Sequence, residues 1–235
     1  MDNKRILGVI PARGGSKGIP GKNLHEISGK PLIQYTIEAS KDSKFLSEFI
    51  ISTDSEEIAN FSRSIGGDVP FIRPDRLSTD KALSLPVVLH ALEFMESYIG
   101  KKYDIVVMLQ PTTPLRNYKD IDSAINILLG GQADSVISVT EVGGYHPLRM
   151  KRIKDGRLIN YIDQGIEDMR PRQELPPVYI RNGAIYAAYR EVLVENNSFS
   201  GKDCYAYKMP AERSVNIDTL DDLTLAKKYI NNYKN

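Results

Sequence analysis

Between residues 10 and 23 the chain reads IPARGGSKGIPGKN, with three cations (Arg13, Lys17, Lys22), four glycines and two prolines in fourteen residues. The apolar run RILGVI precedes it and SGKPLIQYTIEAS follows, so the stretch falls where a first strand gives way to a first helix. In open α/β sheets ligands sit beyond the carboxyl ends of the strands, and the first strand-to-helix connection is where phosphates bind. Glycines at 14, 15 and 18 let backbone N–H groups approach phosphate oxygens, and the three cations can neutralise the charge that gathers there. Neither common glycine fingerprint fits, because no Gly-Lys-Ser/Thr occurs and the glycine spacing is not GxGxxG. The competing reading is a glycine-rich surface turn with solvated lysines. Pro11 and Pro20 weigh against a floppy turn, since each fixes its own φ.

Other polar side chains stand at the ends of apolar runs. Arg73, Ser78 and Asp80 lie in FIRPDRLSTDKA, where Ser78 reads equally as a turn or cap residue and Asp80 as a helix-start acid. Gln110 follows VVML at a strand end, where an amide donates and accepts at once, with Pro111 and Pro114 fixing the loop behind it. Arg172, Gln173 and Asn182 sit in RQELPPVYIRNGAIY. An arginine there can grip a carboxylate bidentately; the alternatives are a surface ion pair for Arg172 and a turn role for Asn182 before Gly183. Tyr179 and Tyr186 read as core or site, and His146 as a loop histidine.

The elements that must position these residues follow from spacing. Apolar runs at Ile6–Ile10, Phe49–Ser52, Val69–Ile72, Ile105–Leu109 and Ser135–Val139 are rich in Ile and Val and separated by helix-length segments, which predicts buried, mostly parallel strands. Ser84-Leu85-Pro86 predicts a serine-capped helix, residues 119–129 another, and residues 219–230 a last one, with Leu220, Leu223, Ala226 and Ile230 inward and Thr219 with Asp222 as a capping box. Alternating β and α argues for one layered α/β domain over residues 1–235. Residues 141–178 break the pattern with a hairpin turning at Asp155-Gly156 and a proline-rich stretch, a piece that projects as a dimer contact or lid.

Composition bounds the rest. Lys+Arg 31 against Asp+Glu 30 leaves a net charge of +1, so no global field draws the protein to nucleic acid or to an anionic membrane. Cys204 is the only cysteine, which excludes a disulfide framework or a cysteine zinc site within one chain. The absence of a run of about twenty apolar residues, and MDNKR leading directly into a strand, predict a soluble cytoplasmic protein.

The blocks IPARGGSKGIPGKNL, GKPLIQYTIEAS, IISTDSEEIA, VPFIRPDRLSTD, VVMLQPTTPLR, RQELPPVYIRNGAIYAA and SVNIDTLDDL, in this order, resemble the acylneuraminate cytidylyltransferases. The resemblance implies a three-layer α/β/α fold of the nucleotide-diphospho-sugar transferase type, a mixed, mostly parallel seven-stranded sheet and a small projecting dimerisation element. It also implies a reaction: CTP and a nine-carbon 2-keto sugar acid give the CMP-sugar and pyrophosphate, with Mg²⁺ as cofactor and a homodimer as the working form. Carried onto this chain, Arg13 and Lys22 hold the triphosphate; Ala12, Gly14, Gly15, Ser16 and Asn23 complete the nucleotide loop; Arg73, Ser78 and Asp80 border base and ribose. Gln110, Arg172, Gln173 and Asn182 face the sugar, and Asp218 with Asn216 holds the metal. Lys17 is expected to face solvent. The family commonly has D-x-D at the metal block, where this chain has Asn216-Ile217-Asp218, so one formal charge is lost. N-acetylneuraminic and legionaminic acids are the competing substrates, with pseudaminate enzymes less similar around LQPTTPLR. An eight-carbon 3-deoxy-manno-octulosonate cytidylyltransferase and a catalytically inactive nucleotide-binding regulatory module are the alternatives.

Overall fold

The computed structural model describes residues 4–162 and 169–234. At the centre is a six-stranded sheet built from β1 (Ile6–Pro11), β4 (Glu48–Ser52), β5 (Ile105–Met108), β6 (Ser135–Glu141), β9 (Tyr179–Tyr189) and β10 (Cys204–Lys208), in the order β10-β6-β9-β5-β1-β4. The pairs β1–β4, β1–β5 and β6–β10 are parallel, while β9 runs antiparallel to both neighbours. The sheet is therefore mixed, and β1, β4 and β5 present their carboxyl ends along one edge. Two short pairs lie outside it: β2 (Glu26–Ile27) with β3 (Lys30–Pro31), and β7 (Lys151–Lys154) with β8 (Arg157–Asn160), the hairpin expected at Asp155-Gly156.

Strand alternation divides the core. From β1, Ile6 and Ile10 join Ile33 and Ile37 of α1 (Leu32–Asp42), Ile58 and Ala59 of α2 (Glu56–Ser64), and Ile121, Ile125 and Leu128 of α4 (Tyr118–Leu129). Leu7 and Val9 point the other way, to Val88, Leu92 and Met95 of α3 (Ser84–Ile99) and Val192 and Leu193 of α5 (Arg190–Glu195). Successive strand side chains face opposite sides, so a run buried throughout needs helices on both faces, and the three-layer α/β/α arrangement follows. A third cluster, Ile19, Ile27, Leu32, Leu115, Val215, Ile217, Leu223, Ala226 and Ile230, lies under α6 (Leu220–Lys234) and ties the start of the chain to its end.

Three sequence expectations are corrected. The run Val69–Ile72 forms no strand; it leaves two isolated parallel bridges, Ile50 with Asp68 and Thr53 with Ile72, so the seventh strand is missing from the described sheet. Pro70 has no N–H to contribute to a ladder. Ser84 does not cap α3 but is its first residue, after Leu83. Pro86, two positions on, offers no N–H for a cap to receive. Leu220 opens α6 and is 66% exposed, so the packed stripe starts one turn later at Leu223. The Thr219–Asp222 box is present: Asp222 N donates to Thr219 Oγ1 at 3.3 Å and Thr219 N to Asp222 Oδ2 at 2.8 Å.

The start of α4 carries a second box that the sequence reading missed. Asn117 accepts from Lys119 N and Asp120 N, and Asp120 returns a carboxylate oxygen to Asn117 N. The same buried carboxylate accepts from Tyr207 Oη at 2.8 Å and pairs with Arg213, joining α4 to β10 and to the turn before the 214–218 segment. Asp120→Ala leaves the guanidinium, the phenol and the backbone N–H without their acceptor. Loss of one partner of a buried pair costs about 3–5 kcal/mol, which for a chain of this size lowers Tm by on the order of 10 °C; thermal unfolding followed by circular dichroism measures it.

Candidate active site

The carboxyl ends of β1 and β5, the loop after β1, the turn before α3 and the segment before α6 enclose a cleft of about 560 Å³. Arg13, Ser16, Lys17, Gly18, Lys22 and Asn23 form one wall; Arg73, Thr79, Asp80 and Ser84 another; Gln110, Pro111, Thr112, Asn216 and Asp218 close it.

The loop is held from several sides. Asn23 Nδ2 donates to Arg13 O at 2.9 Å, and Gly14 N donates to Asp54 Oδ1 at 2.9 Å. Ile19 is buried in the third cluster beside Ile217. Gly18 passes so close to the 218 backbone that a Cβ there would overlap the Asp218 carbonyl oxygen. Lys22 completes the closure: its Nζ donates to Ile217 O at 2.8 Å and to Asp218 Oδ1 at 2.9 Å. Asn216 Nδ2 in turn donates to Asp218 Oδ2 at 2.9 Å, so both oxygens of that carboxylate are oriented.

Charge is concentrated and balanced. Asp80 bridges Arg13 Nη1 and Lys17 Nζ, each at 2.8 Å. The Lys17 hydrogen bond, then that of Arg13, holds the Asp80 carboxyl below its ordinary range. Arg73 is buried, with Asp54 at 3.4 Å and Ser78 Oγ at 3.2 Å from its guanidinium. Burial lowers its pKa, and Asp54 opposes the shift. Behind Gln110 lies the fully buried Arg116, whose Nη1 donates to Gln110 O at 3.1 Å, Ala184 O at 3.1 Å and Thr113 Oγ1 at 3.3 Å. Its pKa is pushed down to about 10 by burial, which still leaves it charged at neutral pH. The Gln110 side chain has room only because residue 183 is glycine (φ 78°): a Cβ would stand 2.8 Å from Gln110 Oε1.

Of the residues singled out from sequence, Arg13, Ser16, Lys22, Asn23, Arg73, Asp80, Gln110, Asn216 and Asp218 meet in this cleft. Others stand elsewhere. Ala12 is completely buried beneath the loop, with its N–H donating to Ser52 O, and presents no surface to a ligand. The Gly14 N–H is spent on Asp54, while Gly15 lies in open space. Ser78 holds Arg73 instead of lining the cleft. Asn182 is 4% exposed and saturated: Oδ1 accepts from Ser138 Oγ and Ala184 N, and Nδ2 donates to Ser214 Oγ and Met209 Sδ. It secures the irregular β6–β9 register and has no hydrogen-bonding capacity left for a sugar. Gln173 lines a separate pocket with Glu141, Leu175 and Pro177; Arg172 begins the short turn Arg172–Glu174, and its side chain falls outside the described part. His146 is buried, accepting from Leu148 N and contacting Pro176 O at 3.0 Å through Nε2. Asp54, Thr112 and Arg116 were not anticipated. Asp54 reads in sequence as a helix-start acid, and Arg116 as one more loop cation.

Asp218 and Asn216 offer hard oxygen donors of the kind Mg²⁺ takes alongside phosphates and water. Among the described residues no group of three or more His, Cys, Asp or Glu is placed to hold a metal, so Asp218 and Asn216 would supply only part of an ion's coordination.

Residues 7–216 match the family described as Cytidylyltransferase. The chain belongs to that family. As a cytidylyltransferase it is a nucleotidyltransferase that uses CTP. It is 35% identical to the CMP-N,N'-diacetyllegionaminic acid synthase of Legionella pneumophila, over 95% of each chain. It is 33% identical to a pseudaminic acid cytidylyltransferase of Campylobacter jejuni, over 94% of each. It is 35% identical to an N-acylneuraminate cytidylyltransferase of Streptococcus agalactiae, over 91% of this chain and 50% of that one. Over the whole chain the pseudaminate enzyme is thus nearly as similar as the other two. Among solved structures, a CMP:2-keto-3-deoxy-manno-octonic acid synthetase complexed with CTP superposes with a TM-score of 0.72 at 18% identity, covering 98% of this chain and 100% of that one; at that identity the likeness speaks for the fold.

The Gly18 contact sets a clear expectation. Gly18→Ala pushes the loop off the 218 segment by up to about an ångström, and displacement on that scale costs on the order of 10²-fold in kcat/KM. Steady-state kinetics with CTP, with Tm measured in parallel, separates this local effect from unfolding.

Proposed function

We propose that this cytidylyltransferase activates a nonulosonic, sialic-acid-like sugar: the sugar's anomeric hydroxyl attacks the α-phosphorus of CTP, the new O–P bond forms as the bond to the β-phosphate oxygen breaks, and pyrophosphate leaves. The observation that carries this reading is the gathering of Arg13, Lys17 and Lys22 on a rigid loop at the carboxyl edge of the sheet. Phosphoryl-type transfer needs positioning and charge stabilisation more than proton exchange. Arg13 and Lys22 supply preorganised donors toward charge that develops on the leaving phosphates. Arg73 reinforces the positive wall, and Gln110 at the end of β5 orients the acceptor with its amide. Asp218, steadied by Asn216, would hold Mg²⁺, which would supply further neutralisation of phosphate charge.

Two relatives that match over nearly their whole length are named for legionaminic and pseudaminic acids, which favours a nine-carbon acid over the eight-carbon alternative. CTP is an intracellular nucleotide, so the reaction belongs in the cytoplasm; no described helix is long and apolar enough to cross a membrane. A homodimer is the working form. Its support is the β7–β8 hairpin, where residues 152–159 are exposed on both faces, including Ile153 at 79% and Leu158 at 68%. A lone two-stranded hairpin is marginal in water, and exposed apolar side chains of this kind need a cover.

The test incubates the protein with CTP, Mg²⁺ and a panel of sugar acids and measures pyrophosphate. Release with N-acetylneuraminic, legionaminic or pseudaminic acid is the expected outcome. Release only with 3-deoxy-manno-octulosonate, or CTP binding without release, would refute the proposal. On the preferred acid, Arg13→Ala and Lys22→Ala each lower kcat by about 10²–10³-fold. Asp218→Asn raises the Mg²⁺ concentration needed for half-maximal rate; an unchanged Mg²⁺ titration would remove Asp218 from the metal site.

A further inference from the structure

Asp80 was expected from sequence to touch the nucleotide, but its geometry suits a different task. One carboxylate oxygen contacts Arg13 Nη1 and the other contacts Lys17 Nζ, both at 2.8 Å. Two oxygens of one anion bridging two cations is also the contact a phosphate group would make with the same loop. The pairing is solvent-accessible, with the Asp80 side chain 44% and the Lys17 side chain 77% exposed, so it can exchange with an arriving ligand. Asp80 lies outside regular structure, in the stretch 78–83 between the short helix Asp75–Leu77 and α3, which is anchored by Ser78 Oγ to Pro74 O at 3.2 Å and Ala82 N to Thr79 O at 3.0 Å. An ionised carboxylate has no proton to donate to a phosphate oxygen, so Asp80 and a phosphate on these cations exclude each other.

We propose that Asp80 is an internal stand-in for nucleotide phosphate: it occupies Arg13 and Lys17 in the ligand-free cleft, is displaced when the triphosphate binds, and returns to the cations as pyrophosphate leaves. The inference rests on the assignment of this cleft to the nucleotide. The exchange keeps the two cations from being left bare at either end of the cycle, so it weakens polyphosphate binding and favours release of the product. Lys17, expected from sequence to face solvent alone, becomes part of the same device.

Titration calorimetry at low ionic strength with EDTA present tests this directly, using CTP and inorganic pyrophosphate as ligands for the wild type, Asp80→Asn and Asp80→Ala. Removing the competing carboxylate should tighten both ligands by roughly two- to tenfold, a modest gain because exposed ion pairs are weak. Asp80→Ala adds no new donor, so a gain in both variants isolates the competition. In a Lys17→Ala background the gain should shrink, which a merely structural role for Asp80 would not produce. Wild-type binding with equal or weaker affinity in both Asp80 variants overturns the proposal while leaving the cleft assignment intact. Failure of the wild type to bind either ligand, with or without Mg²⁺, overturns the cleft assignment and the proposal with it.

Discussion

The cleft depends on one closure, the contact between the loop after β1 and the segment that leads into α6. Those residues are about two hundred positions apart in sequence, and three interactions join them: the near-contact of Gly18 with the Asp218 carbonyl, burial of Ile19 beside Ile217, and the Lys22 ammonium on Ile217 O and Asp218. Apolar packing fixes the distance, and the ammonium fixes the orientation of the carboxylate. Opening this seam would separate Lys22 and the rest of the loop from Asp218 and Asn216.

Around that closure the walls are stiffened by buried polar groups that never need to meet a ligand. Arg116 draws the Gln110 and Ala184 carbonyls together across β5 and β9, while Asn182, Ser138 and Ser214 tie β6, β9 and the 214–218 segment. Inside protein such hydrogen bonds are strong and their loss is costly, so the fully satisfied Asn182 network specifies one arrangement, whereas Arg116 is held through Nη1 alone, its Nε and Nη2 having no hydrogen-bond partner among the described residues. Asn182 illustrates the distinction between a residue in a family-like block and a residue at a site: its amide is wholly consumed by the scaffold that sets Gly183 beside Gln110.

Electrostatically the chain as a whole is nearly neutral, yet Arg13, Lys17, Lys22 and Arg73 all line the one cleft. Each is matched by a carboxylate: Asp80 for the first two, Asp218 for Lys22, Asp54 for Arg73. The pairs differ in kind. Arg73 with Asp54 is buried and structural, since separating it would leave a charge without water or partner. The Asp80 pairs are open to solvent, where ion pairs are weak and exchangeable, whereas the Lys22 ammonium is largely buried and held by Ile217 O as well as by Asp218.

The sequence by itself determined what depends on local spacing. It showed the strand-loop-helix with its glycines and cations, the apolar runs of β1, β4, β5 and β6, the Thr219–Asp222 box, the Asp-Gly hairpin, and, through ordered blocks, the family. These are legible because backbone period, φ restriction and capping act over a few residues. It erred where a local feature had two outcomes, as with Pro70 in an apolar run or Leu220 at a helix start. Only the tertiary structure decided that Asp54 holds Gly14 and Arg73, that Arg116 sits behind Gln110, that Asn182 faces inward, and that Asp80 pairs with Arg13 and Lys17. Those outcomes turn on partners tens to two hundred residues away. Whether a polar side chain is free or spent depends on which distant groups packing brings within 3 Å, and residue type and spacing do not encode that.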